Sequence, residues 1–94
     1  MASEINWTEK AQGQLQKLDK PIARRIADYM DDRVAPLEDP RSIGHALSGP
    51  LLGTLWTYRI GGGYRAICDI QDTHMRVLVI EVGDRKHVYE KAKR

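Results

Sequence analysis

The chain has 94 residues, a length that suits one domain. A domain of this size buries only about 60–65% of the surface that its unfolded chain exposes, so the core is small. Fifteen Lys and Arg against 13 Asp and Glu leave a net charge of +2, which does not by itself indicate a polyanionic partner. Residues 1–52 carry 7 basic and 8 acidic side chains, and residues 53–94 carry 8 and 5. The last ten residues alone have a net charge of +4, a modest basic bias at the C-terminal end.

The single cysteine, Cys68, excludes an intramolecular disulfide and fits a reducing compartment. The longest aliphatic stretch, VLVIEV at 77–82, is far too short to cross a bilayer, and no N-terminal signal pattern occurs. We therefore expect a soluble, cytoplasmic domain.

The N-terminal segment EINW, residues 4–7, predicts a short strand that could join the edge of a sheet. Thr8 can cap a following helix, because its hydroxyl can accept from a free backbone N–H and Glu9 suits the positive end of the helix dipole. The apolar face of this helix is formed by Ala11, Leu15 and Leu18.

Pro21 interrupts that pattern and is favourable in the first turn of a second helix. Helical spacing then resumes at Ile22, Ile26, Tyr29 and Met30, which predicts two antiparallel helices joined by a tight turn. Residues 35–53 contain three prolines and three glycines and predict a linker with little regular structure.

From Thr54 the apolar period changes to two, which is typical of strands. Glycines 61–63 predict a turn, YRAICDI (64–70) a second strand and MRVLVIEV (75–82) a third, central one. The pattern predicts an α+β domain: an N-terminal helical hairpin packed on a small, mostly antiparallel four-stranded sheet. The expected core residues are Leu15, Leu18, Ile22, Ile26, Trp56, Tyr58, Val77 and Val79.

Several residue patterns are similar to ligand-binding or catalytic motifs but are better explained by structural roles. The glycine run lacks the Lys-Ser/Thr of a phosphate loop and is interpreted as a hairpin turn. His45, His74 and His87 are not at ligand spacing, and Cys68 is expected to be an inert, buried thiol. The sequence therefore predicts no metal site.

The arginines offer the strongest candidate site. Arg59 ends one predicted strand and Arg65 begins the next, so the hairpin brings them together. Arg85 follows the third strand, and Tyr89 comes four residues later. Spacing alone leaves two interpretations open: solvated charges, which are common on small sheets, or an anion site.

Three stretches of the sequence form a recognisable set: LWTYRIGGGYR (55–65), VGDRKHVY (82–89) and the helix WTEKAQGQLQKL (7–18). In these motifs the sequence resembles the RelE/ParE superfamily of toxin–antitoxin toxins, and the resemblance covers nearly the whole chain. It implies two helices on a four-stranded, largely antiparallel sheet. It also implies a small antitoxin partner that neutralises the toxin.

In the RelE branch, the resemblance implies cleavage of mRNA in the ribosomal A site, by attack of the ribose 2′-OH on the adjacent phosphate, without metal or cofactor. The arginines would bind the phosphate, with Tyr89 as general base and His87 as a substitute. The implied catalytic residues are Arg65, Arg85, Tyr89 and Arg59, and those expected to bind RNA are Lys86, His87 and Lys91.

The chain also departs from the RelE pattern. Some RelE toxins have lysines where this chain has Trp56, Thr57 and Tyr58, and Asp84 stands where histidine or lysine is frequent. One extra glycine also separates Arg59 from Tyr64. These differences leave a second hypothesis open, a ParE-like inhibitor of DNA gyrase without nuclease activity. A third hypothesis is an RNA-binding module without toxicity.

Overall fold

The computed structural model describes residues 3–47 and 55–84. Its elements, in chain order, are β1 (Glu4–Trp7), α1 (Glu9–Lys17), α2 (Lys20–Tyr29), a π-helical turn (Met30–Val34), β2 (His45–Ala46), β3 (Leu55–Ile60), β4 (Tyr64–Gln71), a 3-10 turn (Asp72–His74) and β5 (Arg76–Asp84). Within these residues, no helix is both long and apolar enough to cross a membrane.

The five strands form one sheet in the order β1-β5-β4-β3-β2. The β1–β5 pair is parallel and the other pairs are antiparallel. The predicted α+β fold is therefore confirmed, with one more strand than the four expected. The additional strand β2 falls inside the segment 35–53, where the sequence predicted only a linker. Its two residues pair with Thr57 and Trp56 of β3, a long-range contact that local prolines and glycines do not reveal.

The start of α1 follows the capping prediction. Thr8 accepts a hydrogen bond from the backbone N–H of Ala11 at 3.1 Å, and Glu9 lies in the first turn. The Thr8 hydroxyl also donates to the carbonyl of Ile80 at 3.1 Å, and its backbone N–H donates to the carbonyl of Val79. The same residue therefore begins the helix and attaches it to β5.

Both helices pack on one face of the sheet and form the core there. Ile26, Tyr58, Val77 and Val79 are fully buried, as expected. Leu15, Leu18, Ile22 and Trp56 are only half-buried against the same cluster, because two short helices do not cover every apolar side chain of a domain this small. Trp56 and Tyr58 both contribute to this core, which confirms the predicted orientation of β3.

The hairpin between β3 and β4 turns at the glycine run, as predicted. Gly62 and Gly63 have φ angles of 87° and 84°, a region that other residues rarely adopt. Arg25 of α2 donates to the carbonyl of Gly61 at 3.4 Å. This turn sets the strand pairing that brings the two arginines together.

Candidate functional site

The face of the sheet opposite the helices carries the candidate site. Side chains alternate between faces along a strand, and Tyr58, Ala66 and Val82 are paired in one row of the helix-side core. Their neighbours therefore point to the other side. Two adjacent rows form this opposite face: Arg59, Arg65 and Gly83, and then Thr57, Ile67 and Glu81.

Arg59 and Arg65 lie directly across from each other on β3 and β4. Residues paired in this way have Cβ atoms about 4.5–5.5 Å apart, and like charges at that separation destabilise the sheet. Arg59 is exposed, whereas Arg65 is 9% exposed. Nη1 of Arg65 donates to the carbonyl of Tyr64 at 3.0 Å, but its Nε is buried without a hydrogen-bond partner in the part of the chain that the structure describes. A bound anion would stabilise this arrangement.

Glu81 adds a buried carboxylate to the same face. Its Oε1 accepts from Nζ of Lys10, on α1, at 2.5 Å. The Glu81 side chain is 8% exposed, and its Oε2 is buried with no hydrogen-bond partner within residues 3–47 and 55–84. The candidate site thus contains both a donor and an acceptor that the described protein does not satisfy.

Thr57 completes the row. It is 1% exposed, and its Oγ1 has no hydrogen-bond partner among the described residues. Buried polar atoms in folded proteins are nearly always hydrogen-bonded, so the unpartnered atoms of Arg65, Glu81 and Thr57 in these two rows require an explanation. A hydroxyl can donate or accept, and Thr57 is therefore compatible with either kind of ligand atom.

An irregularity in the strand pairing places Glu81 on this face. Cys68 pairs with Val79, but Ile67 pairs with Glu81, so Ile80 is an extra residue on β5. Without this bulge, Glu81 would lie on the same side as Val77 and Val79, inside the helix-side core. The sequence reasoning did not identify Glu81 or Lys10. The available signal was a single charged residue within the apolar run VLVIEV.

On the helix-covered face of the sheet, the hydroxyl of Tyr58 and the thiol of Cys68 have structural roles. Tyr58 donates to the carbonyl of Pro40 at 2.6 Å, and burial raises the pKa of its hydroxyl well above the ordinary value. Burial likewise raises the pKa of the Cys68 thiol, which confirms the expected buried, unreactive cysteine.

The remaining predicted site residues are distributed as follows. His45 and His74 are exposed, and among residues 3–47 and 55–84 no three His, Cys, Asp or Glu side chains are grouped to hold a metal. The structure brings Arg59 and Arg65 together, as predicted. Five predicted residues lie outside the described part of the chain: Arg85, Lys86, His87, Tyr89 and Lys91.

The fold is that of known toxin structures. RelBE2, a toxin–antitoxin complex from Mycobacterium tuberculosis, matches with a TM-score of 0.80 and 24% identity over 90% of this chain and 93% of that one. Isolated RelE from E. coli matches with a TM-score of 0.69 and 20% identity over 98% and 96%. The RelE–RelB complex of the archaeon Pyrococcus horikoshii matches with a TM-score of 0.65 and 24% identity over 90% and 97%. At these identities, the similarity establishes the fold.

The family follows from the sequence. The profile of the ParE toxin of type II toxin–antitoxin systems, parDE, matches residues 5–89. The chain belongs to this family and is a toxin of the RelE/ParE superfamily. The resemblance stated from the motifs is thereby confirmed. No curated protein sequence matches the chain at a significant level.

Proposed function

We propose that this toxin is a metal-independent endoribonuclease that cleaves mRNA in the ribosomal A site and so inhibits translation. The observation that carries the proposal is the arginine pair on the face opposite the helices. Arg65 is buried beside Arg59, and its Nε lacks a partner. A guanidinium stays charged and binds two oxygens of a phosphate, which is the chemistry this position needs.

In this proposal the arginines stabilise the largest charge that develops during the reaction. When the 2′ oxygen attacks phosphorus, negative charge accumulates on the non-bridging phosphate oxygens. Fixed cations that already face those oxygens stabilise the transition state without the cost of reorganising solvent. Arg65 fills this role in our proposal, with Arg59 close to the same phosphate and Arg85 as the third cation.

The other proposed residues come from the sequence motifs. Tyr89 and His87 are the candidates for proton transfer, and Lys86 and Lys91, with His87, are proposed to contact the RNA backbone. The ribosome also makes the cytoplasm the expected location of the protein.

The gyrase hypothesis remains the second candidate, because the matching family is that of the ParE toxins. A protein that acts only by covering gyrase has no need for a buried Arg and a buried Glu on one face, each with one polar atom that lacks a partner among the described residues. The two functions also predict different products, cut mRNA or DNA that is no longer supercoiled.

The decisive experiment gives the purified toxin to translating ribosomes and maps mRNA ends by primer extension, with a gyrase supercoiling assay run in parallel. We expect cuts spaced by codons, with 5′-OH ends downstream, and unchanged supercoiling. Intact mRNA together with lost supercoiling would replace the nuclease with the gyrase inhibitor. The match to the ParE toxin family argues against the third hypothesis, an RNA-binding module without toxicity.

A small antitoxin is the proposed protein partner. The M. tuberculosis and P. horikoshii structures are both toxin–antitoxin complexes. Among the described residues the sheet ends at β1 and β2, whose outer edges could pair with a strand of a partner. The +4 charge of residues 85–94 favours an acidic segment on that partner. Co-expression of the adjacent small gene should relieve growth arrest, and continued arrest would contradict this assignment.

A further inference from the structure

The unpartnered polar atoms on the face opposite the helices include one hydrogen-bond donor and one acceptor. Nε of Arg65 can only donate, and the carboxylate oxygen Oε2 of Glu81 can only accept. Arg65 pairs with Gly83, so Glu81 is its diagonal neighbour on β5, at about 7–8 Å between backbones. Long side chains at that spacing reach the same small ligand.

A ribonucleotide linkage presents the complementary atoms side by side. The phosphate oxygens accept from an arginine, and the vicinal 2′-OH donates to a carboxylate. DNA has the phosphate but not the 2′-OH, so it would leave Glu81 unsatisfied. The donor and acceptor on this face therefore match RNA better than DNA.

We propose that Glu81 is a catalytic residue that takes the proton of the 2′-OH, and that Lys10 is a positioning residue that orients the carboxylate. The assignment rests on the proposed nuclease function. Lys10 holds Oε1 at 2.5 Å, which leaves Oε2 for the substrate. Thr8 fixes the start of α1 to β5 at the bulge, two residues before Lys10, and so sets where the ammonium lies.

The proton and electron balance of the step is simple. The 2′-OH proton moves to Oε2 of Glu81 as the 2′ oxygen forms a bond to phosphorus. The bond from phosphorus to the 5′ oxygen then breaks, and that oxygen takes a proton from the Tyr89 phenol. The products are a 2′,3′-cyclic phosphate and a 5′-OH. Tyr89 thus serves as the donor for the leaving group, and the carboxylate replaces it as the base.

Glu81→Gln tests the assignment, because it keeps the size of the side chain and removes its ability to accept a proton. On programmed ribosomes we expect cleavage to fall about 10²–10⁴-fold, with toxin binding to the ribosome unchanged. Glu9→Gln makes the same chemical change at an exposed carboxylate on α1 and should cleave normally. Lys10→Gln, which leaves the carboxylate in place, should lose about 10-fold or less.

A modified substrate distinguishes the role of a general base from that of a general acid or a structural residue. It is an mRNA with sulfur in place of the 5′ oxygen at the cleaved linkage. Sulfur leaves without a proton, so Tyr89→Phe should regain most of its activity on this substrate, whereas Glu81→Gln should not. Recovery of Glu81→Gln would make Glu81 the acid and overturn the assignment. Should Glu81→Gln fail to fold, Glu81→Asp provides the second variant. It retains the charge, withdraws the acceptor by one methylene, and should cleave at least 10-fold more slowly.

The outcomes distinguish a failure of the proposed nuclease function from a failure of the role assigned to Glu81. If wild-type toxin does not cut mRNA, the nuclease function and the role of Glu81 are both wrong. If wild-type toxin cuts mRNA and folded Glu81→Gln or Glu81→Asp cuts it equally well, only the role of Glu81 is wrong.

Discussion

The two faces of the sheet differ in whether their buried polar groups are hydrogen-bonded. On the helix-covered face, the hydroxyl of Tyr58 is buried and donates to Pro40. On the other face, Arg65, Thr57 and Glu81 are buried to a similar extent, yet each has a polar atom without a partner. An unsatisfied buried polar group costs about 1–3 kcal/mol of stability. The buried hydroxyl on the first face is hydrogen-bonded, whereas the second face retains polar atoms without a partner among the described residues, which is the basis of the proposed site.

The first prediction tests how much the helix-covered face contributes to the free energy of unfolding. Tyr58→Ala should lower the free energy of unfolding by about 3–5 kcal/mol, because it leaves a cavity among fully buried side chains. Urea unfolding measures the loss. Tyr58→Phe, which removes only the hydroxyl, should cost about 1–2 kcal/mol. A loss under about 1 kcal/mol for Tyr58→Ala would show that this face is not the stabilising one.

Arg65→Ala tests the other face and should affect activity more than stability. We expect mRNA cleavage to fall about 10²–10³-fold, equivalent to about 3–4 kcal/mol of lost transition-state stabilisation. The free energy of unfolding should fall by only about 0.5–1.5 kcal/mol, because Nη1 loses its hydrogen bond to the carbonyl of Tyr64 while Nε has no partner among the described residues to lose. Arg24→Ala, at an exposed arginine on α2, is the matched control. Normal cleavage by folded Arg65→Ala would show that this buried arginine has no part in catalysis.

Thr57→Val should have a smaller effect with the opposite sign on stability. Replacing a buried, unpartnered hydroxyl by a methyl group should raise the free energy of unfolding by about 1 kcal/mol. The same change at Thr8, whose hydroxyl accepts from Ala11 and donates to Ile80, should lower it by about 1 kcal/mol. If both variants are destabilised, the Thr57 hydroxyl has a partner and the contrast between the faces is weaker than proposed.

The smallest effect is expected at an exposed ion pair beyond the end of β4. Arg41 donates to both carboxylate oxygens of Asp72, at 2.9 and 2.7 Å, and thereby lowers the pKa of that carboxyl. A lowered pKa in the folded state adds stability that is complete above the unfolded value of about 3.9 and is lost as the pH falls through the folded value. Asp72→Asn should therefore be slightly less stable than wild type at pH 6 and equal to it in strong acid. A difference that persists in acid would exclude this charge effect.

The local elements could be predicted from sequence because their causes are local. Thr8 and Glu9 identify the start of α1, Pro21 the start of α2, and the glycines the turn that pairs Arg59 with Arg65. Helical and strand periods assigned the faces of α2 and β3 correctly, including Ile26 and Tyr58. The motifs around these positions were also sufficient to identify the superfamily.

The formation of β2 and the face on which Glu81 lies were decided only by the tertiary structure. His45 and Ala46 form a strand because they pair with the edge of β3, ten to twelve residues further along the chain, and no local pattern encodes that pairing. Strict alternation would place Glu81 in the core with Val77 and Val79. The extra residue Ile80 reverses that direction and puts the carboxylate beside Arg65, within reach of Lys10 on α1. A bulge depends on how two strands pair, so the composition of one strand cannot reveal it.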